Sequence, residues 1–302
     1  MTREQDNKRI VVFGEVLFDV FPDGERIIGG APFNVACHLK ALGLEPLLLS
    51  RIGSDEMGDE VIEEMKRREM DVSGLQVDNE KQTGIVNVDF TELGEPVYEI
   101  KEDVAFDYIN PPTDKKVKNS FLFCHGTLAA RSEISKKSLK TLSCRKDQKI
   151  FCDINLRKPW WSTDLIKDLI SECNYLKANH EELENIVELY EIEKKDTINN
   201  AKRLIEILKL DSLIVTLGKK GAYIFLPDKE EIFYPAPRID EFRDSVGAGD
   251  AFSAVCLLGI LKQWPWEKIL EISVYAASKT CSIKGAIPKN NCFYEGLLKK
   301  VD

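Results

Sequence analysis

The sequence predicts an α/β fold in three layers, α/β/α, with a mostly parallel central sheet and a small second sheet beside it. Three observations carry this prediction. Apolar strand-like runs recur at 10–14, 46–51, 121–124, 150–154, 174–178 and 212–217. Helix-period segments follow several of them, at 57–69, 163–172, 197–209 and 250–262, and strands alternating with helices build parallel sheets covered on both faces. One stretch, 83–101, breaks the alternation. There Val86, Val88 and Phe90 repeat with period two before a turn at Gly94, the pattern of a half-exposed antiparallel ribbon.

The elements follow in order. Strand 10–14 leaves through Gly14 into Glu15-Val-Leu-Phe-Asp19. The pair Gly29-Gly30 then opens a helix, with Pro32 in its first turn, Phe33, Ala36, Leu39 and Leu42 along its apolar face and Gly43 as its stop. Asn34 falls in the first turns of that helix, where an amide both donates to and accepts from hydroxyl groups. The charged stretch 181–203 reads as a solvated helical face. No internal repeat or low-complexity segment interrupts the chain, and its 302 residues suffice for one large domain or two ordinary ones.

Composition narrows the function classes. With 43% apolar and 31% charged residues the chain is an ordinary globular protein. A net charge of −9 argues against a nucleic-acid surface. No apolar run reaches the ~18 residues of a membrane span, and nothing before Ile10 resembles a signal peptide, so a cytoplasmic protein is expected. The eight cysteines form no C-x-x-C pair, and Cys124, Cys152 and Cys256 sit among apolar residues, as reduced core thiols do. The three histidines lack metal-ligand spacing.

The chemistry concentrates at 244–262. Gly247, Ala248 and Gly249 lead into an apolar helix whose first turn has free N–H groups and a partial positive charge. A carboxylate, Asp250, stands in the same turn. An acid beside an anion-binding turn is electrostatically awkward unless it takes a proton, and the combination points to phosphoryl transfer onto a hydroxyl. The segment is neither a Walker A loop nor a dinucleotide fingerprint. Taken alone, it also suits a tight turn with a carboxylate on the helix dipole.

Gly29-Gly30-Ala31-Pro32-Phe33-Asn34 and Asp244-Ser-Val-Gly-Ala-Gly-Asp250, more than 200 residues apart, resemble the two signature segments of the PfkB, or ribokinase-like, carbohydrate kinases. The resemblance runs from about residue 10 to about residue 290. Asp153-Ile-Asn155-Leu-Arg157 is similar to the D-x-N-x-R of fructokinases, Asn179-His-Glu-Glu182 to N-x-x-E, and Thr216-Leu-Gly218-Lys-Lys-Gly221 to T-x-G-x-x-G. Ser245-Val246 departs from the usual two threonines.

The resemblance implies a single ribokinase-like domain over 1–302 with a lid formed by about 16–28 and 83–104 inserted in it, ATP and Mg²⁺ as cofactors, and a homodimer clasped through the lid. It implies Asp250 as the base, the N–H groups of Gly247, Ala248 and Gly249 as an anion hole, and Arg157 as a cation on the phosphates. Asp19, Gly29, Gly30 and Asn34 would bind the sugar, and Thr216, Gly218, Gly221 and Gly249 the nucleotide. Asn179 and Glu182, read as sharing a helix face, would hold the water shell of Mg²⁺. Asp244, Val246 and Gly285 would serve a K⁺ site. Fructose, converted to fructose 6-phosphate, is the expected acceptor. The alternatives are ribose, tagatose, 2-keto-3-deoxygluconate, a nucleoside held among Phe18, Phe21, Phe33 and Phe106, or a sugar-binding regulator without turnover.

Overall fold

The computed structural model describes residues 9–91, 96–112, 117, 120–143, 148–227, 231–239, 241–288 and 292–301. In chain order the first strands are β1 (Arg9–Phe13), β2 (Leu17–Val20), β3 (Arg26–Gly29), β4 (Leu47–Gly53), β5 (Leu75–Asp78), β6 (Gly84–Phe90) and β7 (Pro96–Ile100). They are followed by β8 (Ser120–His125), β9 (Lys149–Asp153), β10 (Tyr175–Asn179), β11 (Ser212–Thr216), β12 (Ala222–Phe225) and β13 (Ile232–Tyr234). The described helices include α1 (Ala31–Ala41), α2 (Glu56–Arg67), α3 (Glu133–Ser143), α4 (Thr163–Ile170) and α5 (His180–Leu189). Beyond them lie α6 (Thr197–Leu208), α7 (Ala248–Lys262), α8 (Trp266–Thr280) and α9 (Cys292–Val301).

The large sheet has the order β13-β12-β11-β10-β9-β8-β1-β4-β5. Its strands pair in parallel from β5 to β11, because each is followed by a crossover long enough to return to the same end. The reversal comes at β11–β12, where only Leu217–Gly221 separates the strands and no crossover fits, so β12 and β13 run antiparallel at one edge. Neither edge strand is evident in the alternation of apolar runs. The second sheet has the order β3-β2-β6-β7, with β2 and β6 parallel and the outer pairs antiparallel. Its strands fall where the lid segments 16–28 and 83–104 are expected; the turn at Gly94 lies outside the described residues.

The helix α7 is apolar around its whole circumference and is buried from Asp250 to Ile260, as a helix enclosed by others must be. It packs between α1 and α8 and so brings its N-terminal turn to the carboxyl ends of the strands, where open α/β sheets bind ligands. The charged stretch 181–203 divides into α5 and α6. Leu183, Ile186 and Val187 of the first and Ala201, Leu204 and Ile205 of the second are buried beneath the charged faces. Cys37, Cys124, Cys152, Cys173 and Cys256 are buried and unpaired by disulfides. Phe18, Phe33 and Phe106 are fully enclosed in the core. This corrects the expectation that they line a nucleoside pocket: their rings are already spent on packing. Among the described residues no helix is long and apolar enough to cross a membrane.

Candidate active site

Two signature segments meet because β1 and α7 end at the same rim of the sheet. Gly14 lets the start of α1 lie against the end of β1, since a Cβ there would stand 2.5 Å from Pro32 Cγ. Gly30 caps α1 with φ +104°, and a Cβ on it would meet the Glu15 carbonyl at 2.5 Å. Only glycine tolerates both conditions. This entry places Asn34 in the core of the site, where its Nδ2 donates to Asp250 Oδ2 at 2.8 Å. Asn34 Oδ1 is buried and has no hydrogen-bond partner. A buried amide oxygen without a donor is costly in the free protein, so a hydroxyl donor placed there would be stabilising.

Three further carboxyl groups surround this pair. Burial, above all, pushes the Asp250 carboxyl up to about 6; the Asn34 bond lowers it, Asp153 raises it, and Lys177 and Arg157 lower it. Asp19, on β2, is also raised by burial and lowered by Arg157. A Cβ on Gly29 would come within 3.4 Å of Asp19 Oδ2, so this glycine keeps the carboxylate's place open. Arg157 is exposed, and its charge lowers Asp19, Glu15 and Asp250 alike.

Glu15 is a residue the sequence reading missed. Its carboxyl is buried, Oε2 has no partner, and burial raises it from 4.5 to about 7 against bonds from its own N–H and that of Ala31. The signal was an acid directly behind the strand-ending Gly14. Folding favours its protonated form, so stability falls as pH rises from 4.5 through about 7, by on the order of 3 kcal/mol. Glu15→Gln, which keeps an acceptor for the two N–H groups, is expected to melt several degrees higher than the parent at pH 8 and at the same temperature at pH 4. Parallel melting curves at the two pH values would expose the idea as wrong.

On the other side of Asp250 lies a cavity of about 550 Å³. Thr216, Gly218, Gly221, Ala248 and Gly249 line it, with Phe252 and Ala277 at its apolar wall. All four residues expected at the nucleotide are therefore brought together. Gly218 has φ +56° and open space at its Cβ position, while Gly221, at φ +114°, would collide with the Tyr234 carbonyl at 2.1 Å.

The turn between the two compartments is Gly247–Gly249. Gly247 caps α7 with φ +75°. The N–H of Ala248 donates to Ser245 O at 3.2 Å, which corrects the expectation of three free donors. Gly247 and Gly249 retain theirs, with no backbone acceptor among the described residues. The three residues expected at a cation site are brought together: the Asp244 carboxylate accepts from Val246 N at 2.9 Å and Gly285 N at 3.2 Å. His38 holds the neighbouring loop. Its Nε2 lies 3.1 Å from the Ala286 carbonyl, which can only accept, so Nε2 bears the proton and Nδ1 accepts from Tyr294 OH at 2.8 Å. Burial drives this imidazole down to about 4, so it stays neutral.

Asn179 and Glu182 require a correction. Asn179 is the N-cap of α5 and not a residue within it, and its Oδ1 accepts from Glu182 N at 2.9 Å. Glu182 is buried, with one oxygen accepting from Asn179 N at 2.8 Å and the other from Leu156 N at 2.9 Å. The two side chains form a reciprocal capping box that fixes the approach to Arg157. They offer no direct chelate, and a magnesium ion would reach them only through water.

The pfkB family of carbohydrate kinases matches residues 7–291. An uncharacterised sugar kinase of Pyrococcus horikoshii is 30% identical over 248 residues, 79% of this chain and 74% of its own length. Its structure in complex with ATP superposes with a TM-score of 0.80 over 97% of this chain and all of that one. Fructokinase-2 of Zea mays is 27% identical over 93% of this chain and 91% of its own. The fold of the Xylella fastidiosa fructokinase agrees, at a TM-score of 0.83 and 18% identity over 98% of each chain. A family match that spans nearly the whole chain, over a site that joins a buried carboxylate, a glycine-rich helix N-terminus and a cavity of about 550 Å³, makes this protein a member of the pfkB carbohydrate kinases, an ATP-using sugar kinase.

Proposed function

We propose that the acceptor is fructose and the product fructose 6-phosphate. The observation that carries the acceptor site is the Asn34–Asp250 hydrogen bond with Asn34 Oδ1 left unpartnered beside it. A neutral polyol supplies the missing donor. The fructokinase-like Gly29–Asn34 and Asp153–Arg157 segments, and the maize relative's name, favour a ketohexose. Asp19, Gly29, Gly30 and Asn34 orient the sugar. Asp250 accepts the proton of the 6-hydroxyl as that oxygen bonds to the γ-phosphorus and the bond to the β,γ-bridging oxygen breaks, releasing ADP. The Gly247 and Gly249 N–H groups take the charge of the phosphoryl group in transit, and Arg157 adds a cation.

Thr216, Gly218 and Gly221 hold the nucleotide. Mg²⁺ bound with ATP would supply charge neutralisation, and Asn179 and Glu182 would hold it through water. A K⁺ would be held at the loop pair that Asp244, Val246 and Gly285 tie together, where it would add positive charge near the turn. The small sheet serves as a lid, and its half-exposed Phe90, Val97 and Tyr98 support a homodimer joined there; sedimentation velocity checks the mass.

A sugar acid is the second reading. It is favoured by a groove of about 470 Å³ between β7 and Lys158–Trp160, where Lys101 and Lys158 present ammonium groups. Glu99 and Glu102 line the same groove and balance them, which keeps a neutral sugar first. The test is ADP release with Mg-ATP across fructose, ribose, tagatose, 2-keto-3-deoxygluconate and adenosine. Fructose is expected to give the highest kcat/KM by at least tenfold. Preference for another acceptor would discard fructose and keep the kinase mechanism, and sugar binding without ADP release would favour a regulator.

A further inference from the structure

Lys177 lies in β10 with its side chain almost wholly out of water, and its Nζ donates to Asp153 Oδ2 at 2.7 Å. Ser253 Oγ bonds the same carboxylate oxygen at 2.6 Å and stands 3.0 Å from Gly249 O. Ser253 is one turn further into α7 than Gly249. A Cβ built on Gly249 would come within 3.5 Å of Lys177 Nζ. The ion pair is therefore oriented: its carboxylate is anchored inside the helix, and its ammonium faces the first turn.

That orientation sets the ammonium against the helix, although Asp153, Glu182 and Asp250 together favour its charged form. The N-terminus of a helix is its positive end, and a cation there is repelled where an anion would be attracted. An ammonium group removed from water carries a desolvation penalty as well. A pair that served only to fill the space between β9, β10 and α7 would gain from the reverse arrangement, or from apolar residues. An anion resting on the Gly247–Gly249 turn offsets both penalties at once.

We propose that Lys177 is a fixed buried cation set behind the phosphoryl-binding turn, oriented by Asp153 and Ser253, where it strengthens the hold on the phosphoryl group in transit. It acts through the turn as a positioning residue, and the inference rests on the reading of 247–249 as the anion site. Asp250 feels the same pair, being faced by Asn34 from α1, Asp153 from β9, Lys177 from β10, and Arg157 and Glu15 from the loops after β9 and β1. Removing the cation and removing its carboxylate thus act on Asp250 with opposite signs.

The experiment compares Lys177→Met, Asp153→Asn and the double variant with the parent. The double variant removes both charges of the pair together, so it is expected to melt within a few degrees of the parent. Its kcat is expected to fall at least 30-fold while the KM for ATP changes less than threefold. Its affinity for tripolyphosphate, measured by calorimetry without acceptor, is expected to fall at least tenfold. Lys177→Met is expected to move the acid limb of kcat/KM to higher pH, and Asp153→Asn to lower pH. A folded double variant with kcat and tripolyphosphate affinity within threefold of the parent would overturn the inference and leave the turn intact as the anion site. Failure of the parent itself to bind tripolyphosphate would overturn both.

Discussion

Asp250→Asn is expected to lower kcat by about 10³-fold, within the 10²–10⁴ that a positioned general base contributes, while the KM for the sugar changes less than tenfold. The substitution is isosteric, and its amide oxygen still accepts from Asn34 Nδ2, so the polar contact that orients the acceptor survives. Only the capacity to take a proton is lost. The fold is not expected to suffer, because burial already disfavours the charged carboxylate and raises it to about 6. An equal or higher melting temperature should accompany the loss of rate. The same upward shift sets the pH profile: the base is competent when ionised, so kcat/KM in the parent falls with a slope of one proton below about pH 6. Steady-state kinetics and a thermal melt on the same preparation check both points. A variant retaining a tenth of the parent rate would remove Asp250 from the chemistry.

Gly247→Ala carries the second large effect, through a different cause. Gly247 sits at φ +75°, where a side chain costs about 1–2 kcal/mol. A Cβ there would also stand 2.4 Å from both Cα and Cβ of Ala286 and 2.9 Å from its carbonyl oxygen. The 285–286 loop is held from both sides, Gly285 by Asp244 and Ala286 by His38, so it cannot retreat without breaking those bonds. The turn must shift instead, and with it the N–H groups proposed to receive the phosphoryl charge. A fall in kcat/KM of about 10²-fold is expected, of the size seen when one oxyanion donor is lost, together with destabilisation on the order of 2–4 kcal/mol. Kinetics alongside urea unfolding measure the two, and near-parental values of both would refute the assigned geometry of the turn.

The parts of the fold that were legible in the sequence are those whose pattern is local. The alternation of apolar runs and helical periods announces the parallel sheet, and α7 is visible because an unbroken apolar stretch follows Asp250. The strands β12 and β13 were not legible, since three or four residues carry too little periodicity to separate from a loop. The capping box of Asn179 and Glu182 was misread because a spacing of three describes a helix face and an N-cap pair equally well. Glu15 and Lys177 were overlooked for a common reason. A single charged residue at a strand end or within a strand reads as solvent-facing, and its burial depends on Asp153, Ser253 and α1, which come from distant parts of the chain.

The hydrogen bond between Asn34 and Asp250 closes a loop of 216 residues. During synthesis the chain makes β1, α1 and most of the large sheet before the segment bearing Asp250 has left the ribosome. The Asn34 amide, which donates in this bond, must therefore wait for the carboxylate that accepts from it. Contacts of such long sequence separation form slowly and late, so substrate affinity is among the last properties the folding chain acquires. Chains truncated before α7 should be inert toward both sugar and nucleotide, and recovery of turnover after unfolding reports closure of the whole architecture and not the assembly of any one half.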